Sequence, residues 1–382
     1  MNSLEKIGLP LHQNPSGDKL FLNIFTIRGN KTGEHVHFQA NVHGAELQGN
    51  AVIYELMKTF LNEEFSGSAT FIPQANPLGL NQKSGTHTNG RFHAVTGNNF
   101  NRYYLDIVKN AELLQFNLEK FVNDNGALAP YQFRVQYKTA LEQAIAQYIL
   151  STQNYGLPYE KKLALILQKT AAKADYVFDL HTGPSACRYV YCGEFMRHQV
   201  VDLNFPHHLI IPNEFAGAMD EACFMPWFTL NKLLKEKNKA EMPFESYTLE
   251  LGSEETLNLS AAKQDSANIL HFLSKRGFFT KEKTTELLDK QYFCQLKDYK
   301  TYYSPYGGQI DYLKKPGDII AKGEAIATLL NFNELGTGCE HHDLLKNISA
   351  EKDCLLINHS PSANVMEGAE LFQVMENVQC NF

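Results

Sequence analysis

The sequence has no Cys-x-x-Cys pair, and its seven cysteines form an odd, scattered set. That usage argues against a disulfide framework and for reduced thiols in a cytoplasmic core. No stretch reaches the ~20 apolar residues of a membrane-spanning helix. Residues Met1 to Lys6 lack the basic segment and apolar run of a secretory signal, so none is expected. Positive charge is in short supply: 35 Lys and Arg stand against 42 Asp and Glu, for a formal net charge of -7. Nucleic acid and acidic membranes are therefore not expected as main partners. What the chain does have is apolar content, 43% of 382 residues with 12% aromatic, enough to close a full core. Its length suggests two or three domains, or one large domain with an appendage.

Leu20 to Ile27 and His35 to Val42 read as strands separated by the turn-forming Gly29 to Gly33. After Glu46, apolar residues at Leu47, Ala51, Tyr54, Leu56, Met57, Phe60 and Leu61 recur near helical spacing, and Ala69 to Pro73 reads as a third strand. Strand, helix, strand implies a largely parallel sheet with helices on its faces. Asn81 to Asn101 is polar, glycine-rich and too long for an ordinary connection. Between about 104 and 173 the pattern is mainly helical, with helices expected over Ala111 to Val122, Tyr137 to Leu150 and Glu160 to Ala172. Strand character returns at Asp175 to Leu180, Cys187 to Tyr191, Leu209 to Pro212 and around Tyr247 to Gly252. Helices are expected at Pro226 to Lys237 and Ala261 to Arg276.

After about Gln291, alternating apolar runs and turns replace that rhythm, which suggests an all-β domain over residues 291–382 behind a catalytic domain over 1–290. Within it, Pro316 to Leu329 echoes Pro361 to Val374, matching Ile320 with Val365, Gly323 with Gly368, Ile326 with Leu371 and Leu329 with Val374. Two related units imply a small barrel or sandwich with a pseudo-twofold axis. The echo resembles biotinyl- and lipoyl-carrier domains, but their modifiable lysine on a turn flanked by methionine or alanine is missing, so a structural or access-limiting role is expected.

The chemistry centres on His43-Gly44-Ala45-Glu46 at the end of a β-prone run. On a tight turn or first helical turn, residues i and i+3 share a face, so imidazole and carboxylate reach one ion. With His181 as a distant third ligand, the set suits a catalytic zinc site with one position left for water. The same residues also fit a plain helix start. Asp179, two residues before His181 on the same strand face, is placed to hold the second imidazole nitrogen or, equally, to pair with a nearby base. Cys339-Glu340-His341-His342 has metal-binding residue types but no matching distant partners, and reads as a solvated loop.

In order, His43-Gly44-Ala45-Glu46, Asn76-Pro77, Arg91, Asn101-Arg102, Asp179-Leu180-His181 and Thr248-Leu249-Glu250-Leu251-Gly252 resemble the succinylglutamate desuccinylase/aspartoacylase family, a branch of the zinc carboxypeptidase-like hydrolases. The resemblance spans about residues 24–277 plus the terminal β domain. It implies an α/β fold, a zinc carboxypeptidase-like mixed sheet flanked by helices, with a smaller C-terminal all-β, barrel-sandwich-like domain. It implies one zinc ion per chain on His43, Glu46 and His181, and Glu250 as general base and proton shuttle. It also implies Arg91 as the group that stabilises the oxyanion, and Asn101 with Arg102 as the grip on a substrate carboxylate. Two departures stand out. The helical stretch over about 104–173 is longer than usual, and Asn99 replaces the aspartate that orients the first zinc histidine.

Arg188 is a further candidate for a substrate carboxylate, with a rim charge as the plainer reading. His87 and His93 share the loop of Arg91 and are candidate pocket residues, whereas Trp227 and Tyr302, Tyr303 and Tyr306 fit core or interdomain packing. The expectation is a cytoplasmic zinc amidohydrolase that cleaves an N-acyl amino acid, a small-molecule substrate, with room left for a homo-oligomer. A metallocarboxypeptidase acting on peptides is the first alternative, and a non-catalytic carboxylate-binding module on the same scaffold is the second. A pocket closed by the C-terminal domain favours the small substrate, and an open groove favours peptides.

Overall fold

The computed structural model describes residues 2–152, 154–332, 335 and 344–380. Its centre is a ten-stranded mixed sheet. From one edge the order is Ser3–Gln13, Lys19–Arg28, Ser66–Ile72, Lys31–Ala40, Tyr176–Gly183, Glu245–Ser253, Arg188–Gly193, His207–Ile211, Tyr292–Gln295 and Gln379–Cys380. The middle is parallel: Lys31–Ala40 pairs in parallel with both Ser66–Ile72 and Tyr176–Gly183, and Tyr176–Gly183 pairs in parallel with Glu245–Ser253. Helices cover both faces, so the central strands are buried along nearly their whole length, polar positions such as Asp179, His181, Thr248 and Glu250 included. The first strand, Ser3–Gln13, is mostly exposed and forms a hairpin with Lys19–Arg28; it lacks the buried alternation by which the other strands are recognised.

Seven helices are described: α1 Gln48–Asn62, α2 Pro77–Leu80, α3 Leu118–Asn125, α4 Pro130–Ser151, α5 Tyr159–Ala171, α6 Met219–Glu236 and α7 Leu259–Lys275. Helix α1 buries Ala51, Val52, Ile53, Leu56 and Phe60, while Tyr54 of the expected stripe points to solvent. Gly49 lets α1 lie directly on the sheet, since a Cβ there would stand 2.8 Å from the Cβ atoms of Ala40 and Leu180.

In the long helical segment the expected Ala111 to Val122 helix is displaced. Gln115 takes a left-handed φ of 53°, which ends any regular run, and α3 starts only after Asn117, whose side chain accepts from the Lys120 N–H. Helix α4 begins at Pro130, seven residues before Tyr137, with proline in its first turn, where a missing N–H costs nothing. Tyr137 ties α4 to α6 by donating to the Pro226 carbonyl at 2.8 Å, and its ring meets Trp227 edge-on at 4.9 Å.

The C-terminal part is all β. Tyr299–Tyr303, Glu370–Glu376, Cys354–His359 and Ile319–Ile320 form one sheet, and Leu345–Ser349, Ala325–Leu330, Gly308–Tyr312 and Asn364–Val365 form the other. The repeat in the sequence is visible in the pairing. Ile319–Ile320 and Ala325–Leu330 join different sheets across Gly323, and Asn364–Val365 and Glu370–Glu376 do the same across Gly368. Both glycines have positive φ, 82° and 77°, and Ile320, Ile326, Leu329, Val365, Leu371 and Val374 all enter one buried cluster. Strands join the two parts: Tyr292–Gln295 and Gln379–Cys380 extend the ten-stranded sheet, and Ser185–Ala186 of the larger body pairs with Asn358 and His359. The Cys339 to His342 cluster lies outside the described residues.

Candidate metal centre and active site

His43 follows the strand Lys31–Ala40, and His181 lies near the carboxyl end of the neighbouring strand Tyr176–Gly183. Carboxyl ends of parallel strands are where α/β sheets place their sites. The turn between His43 and α1 is held by close backbone contacts: Gly44 N–H donates to the Gly90 carbonyl at 2.8 Å, and a Cβ on Gly44 would fall 2.1 Å from the Gly79 carbonyl oxygen. This glycine is required by proximity, and the long loop that supplies Gly90 is thereby pinned over the site.

Glu46 stands between the two imidazoles. Its Oε1 lies 2.8 Å from His43 Nδ1 and its Oε2 lies 2.7 Å from His181 Nδ1. One donor atom from each of the three residues can be chosen so that all lie within 4.8 Å of one another, and all three residues are buried. The other imidazole nitrogens are both occupied. His43 Nε2 meets Asn99 Oδ1 at 2.9 Å, and His181 Nε2 meets Asp179 Oδ2 at 2.9 Å. Asp179 is itself held by Gln39 at 3.0 Å, and Asn99 Oδ1 also accepts from the Asn101 N–H at 2.8 Å. Two Nδ1 atoms facing one carboxylate, each ring locked from behind, form a donor set that fits a single divalent ion. Burial opposes ionisation of Glu46, yet the two imidazoles overcome it and hold the carboxyl well below its usual range.

Glu250 lies on Glu245–Ser253, in register with His181 on one side and Tyr189 on the other. Glu250 is 9% exposed, because this sheet is covered on both sides. Burial, then the negative charge of Glu46, pushes its pKa up to about 7, and its Oε2 has no hydrogen-bond partner.

A cavity of about 630 Å³ opens over these residues and is lined by His43, Glu46, Arg91, Asn101, Arg102, His181 and Glu250. Arg91 donates to Glu46 Oε1 at 2.9 Å. Arg102 donates to the Asn101 carbonyl at 2.7 Å, and the Asn101 side chain is buried with its Oδ1 unpartnered. Arg188 is not brought to this cavity. Side chains alternate along a strand, so Tyr189 and Tyr191 face the cavity while Arg188 turns to the other side and donates to Asp265 on α7 at 2.7 Å. His93 is likewise absent from the lining and stacks near Tyr159, and His87 is exposed. Sequence reasoning missed Asp220, Thr248 and Tyr191 as lining residues, and it missed the contribution of Leu296, Tyr299, Asn358, Glu370 and Gln373 from the C-terminal part. For Thr248 the signal was available, since it lies two residues before Glu250 on the same strand face.

The sheet and its three-residue donor set define an α/β protein with a candidate metal centre at the carboxyl ends of its parallel strands. The model of the succinylglutamate desuccinylase/aspartoacylase catalytic domain matches residues 32–133. A protein from Shewanella frigidimarina NCIMB 400, described as a succinylglutamate desuccinylase/aspartoacylase, is 35% identical, with a TM-score of 0.91 over 100% of this chain and 99% of its own. A family protein from Shewanella amazonensis SB2B is 37% identical, with a TM-score of 0.90 over 99% and 100%. The chain belongs to the succinylglutamate desuccinylase/aspartoacylase family. A succinylglutamate desuccinylase/aspartoacylase from Rhodobacter sphaeroides, 14% identical over 98% and 95% of the two chains, shares the fold at a TM-score of 0.65. A search of curated protein sequences finds no match. No helix among the described residues is long and apolar enough to cross a membrane.

Proposed function

We propose that this chain is a zinc-dependent deacylase that hydrolyses the amide bond of an N-acyl amino acid. The observation that carries the reading is the convergence of His43 Nδ1, Glu46 and His181 Nδ1, with Glu250 in register beside His181. His43, Glu46 and His181 would hold the ion. When bound, zinc acts as a Lewis acid that lowers the pKa of a water to about 7 and polarises a carbonyl. Glu250, buried and with a free oxygen, takes the proton of the attacking water and delivers it to the leaving amine. Arg91 presents its guanidinium to the oxygen on which charge develops. Arg102, with the Asn101 amide, holds the α-carboxylate of the substrate. Asn99 and Asp179 fix the imidazole tautomers that leave both Nδ1 atoms free to bind metal.

The C-terminal part supports a small substrate over a peptide. Leu296, Tyr299, Asn358, Glu370 and Gln373 form one wall of the cavity, with Tyr299, Asn358 and Gln373 locked together by hydrogen bonds of 2.8–3.2 Å. We assign residues 1–290 to the catalytic unit and 291–382 to a β unit that limits access. The described cysteines, unpaired and mostly buried, support a cytoplasmic setting. The test is metal analysis together with amine release from N-acetyl and N-succinyl amino acids, repeated on Glu250→Gln. Metal-loaded wild-type protein that turns over no member of the panel overturns the reading.

A further inference from the structure

Six carboxylates line the cavity, those of Glu46, Asp220, Glu221, Glu250, Glu254 and Glu370, against two cationic side chains among the described residues, Arg91 and Arg102. Arg91 is already paired with Glu46. A divalent ion on the three ligands leaves this enclosure net negative. Acidic substrates of the kind that give the family its name carry extra carboxylates into that field, where like charges repel strongly at low dielectric.

Of the buried carboxylates in this lining, Glu46, Asp220 and Glu250, Asp220 is the one without an assigned task. Glu46 is a metal ligand and Glu250 the base. Glu221 closes the start of α6, accepting from the Ala216 and Ala218 N–H groups at 2.7 and 3.1 Å. A carboxylate in a first helical turn is ordinarily explained by the helix N-terminus, but Glu221 already serves that end. Asp220 instead faces the cavity, 3% exposed, with Ile211, Tyr191 and Thr248 as fellow lining residues. Thr248 is opposite Tyr191 in the sheet and shares a strand face with Glu250, which puts Asp220 over the same floor as the reacting centre. Burial raises its pKa to about 7, helped by the negative charges of Glu221 and Asp179. A cation seated beside it reverses that penalty.

A second observation does not depend on this charge count. Asn101 Oδ1 and Glu250 Oε2 are buried, belong to residues that line the same cavity, and have no hydrogen-bond partner. Glu250 Oε2 is the acceptor assigned to the attacking water, which leaves Asn101 Oδ1 as the acceptor that a donor on the ligand would satisfy.

We propose that Asp220 is a specificity-determining residue, selecting N-acyl amino acids whose side chain carries a cation. The side-chain ammonium or guanidinium sits against Asp220 and Thr248 while the α-carboxylate lies on Arg102. The inference rests on the deacylase reading for its reaction, but the charge preference itself is a property of the cavity.

Acetate release from Nα-acetyl derivatives of lysine, ornithine and 2,4-diaminobutyrate is compared with that from Nα-acetylnorleucine and Nα-acetylglutamate. In parallel, calorimetry measures binding of free lysine, ornithine, norleucine and glutamate to the metal-loaded protein. The best basic substrate is expected to exceed norleucine in kcat/KM by about 30-fold or more, with glutamate poorer still, and product binding is expected to follow the same order. Asp220→Asn reduces the basic-to-neutral ratio to within about threefold, and Asp220→Glu restores most of it. A preference for glutamate, parity between lysine and norleucine, or an unchanged ratio in a folded Asp220→Asn variant overturns the proposal. If no acyl amino acid is turned over, the deacylase reading falls, and product binding alone decides the charge preference.

Discussion

The two imidazoles of the candidate metal centre are held by unlike partners, an aspartate behind His181 and an asparagine behind His43. Both partners fix the tautomer, but only the carboxylate adds negative charge and makes its imidazole a stronger ligand. Asn99→Asp should therefore tighten zinc about 10-fold, and Asp179→Asn should weaken it about 10- to 100-fold. Competition against a chromophoric chelator measures both, and equal affinities would show that the second nitrogen's partner does not tune this site. Glu250 poses a different question, because it is assigned to move protons and not to bind metal. Glu250→Gln should lower kcat by about 100- to 10,000-fold with metal content unchanged. Loss of metal in that variant would move Glu250 from base to structural support.

At the scale of elements, the turn from His43 into α1 depends on backbone packed against backbone. Gly44 and Gly90 both crowd the Gly79 carbonyl, and an added Cβ would stand 2.1 and 2.2 Å from its oxygen. Gly44→Ala should cost about 3 kcal/mol and displace His43, read as a lower urea midpoint with loss of stoichiometric zinc. The strand His207–Ile211 carries a separate, pH-dependent contribution. His208 is buried with its ring stacked 4.4 Å from Phe293, its Nε2 is held by the Phe205 carbonyl and Gln291, and burial lowers its pKa to about 4. The folded value lies below the unfolded one, so the unfolded chain binds the extra proton as pH falls. Stability from this group is full above about pH 6.5 and is lost between there and about 4. Between pH 7 and pH 5 the loss is about 2 kcal/mol. Urea unfolding at the two pH values should show a difference smaller by that amount in His208→Gln.

For the whole molecule, the β unit is bound to the larger body by more than a linker. Leu355, Ile357 and Met375 share one buried cluster with Tyr189 and Leu209, and Tyr292–Gln295 and Gln379–Cys380 are strands of the large sheet. Removing residues 291–382 strips the cover from Tyr189 and Leu209 and the end from that sheet. Such a truncation should fail to fold cooperatively and should not yield an open-groove peptidase, as urea unfolding and dipeptide hydrolysis would show. A truncated chain that folded and cleaved peptides would instead make the β unit a removable gate.

Much of this was legible in the chain itself. His-x-x-Glu after an apolar strand, Asp-x-His on another, and a glutamate on a third are local patterns, and periodicity placed each at or near a strand end. The internal echo was legible because each half repeats the same alternation around a glycine that must take positive φ. Helix boundaries in the inserted segment were not, since Gln115 adopts its left-handed turn for reasons no propensity announces. Tertiary structure alone decided which face each side chain met: that Arg188 turns away to Asp265, that Glu250 is buried, and that Asp220 and Tyr299 reach the same cavity. Those outcomes depend on which strands become neighbours and on what covers them, and contacts between residues far apart in sequence leave no local pattern to read.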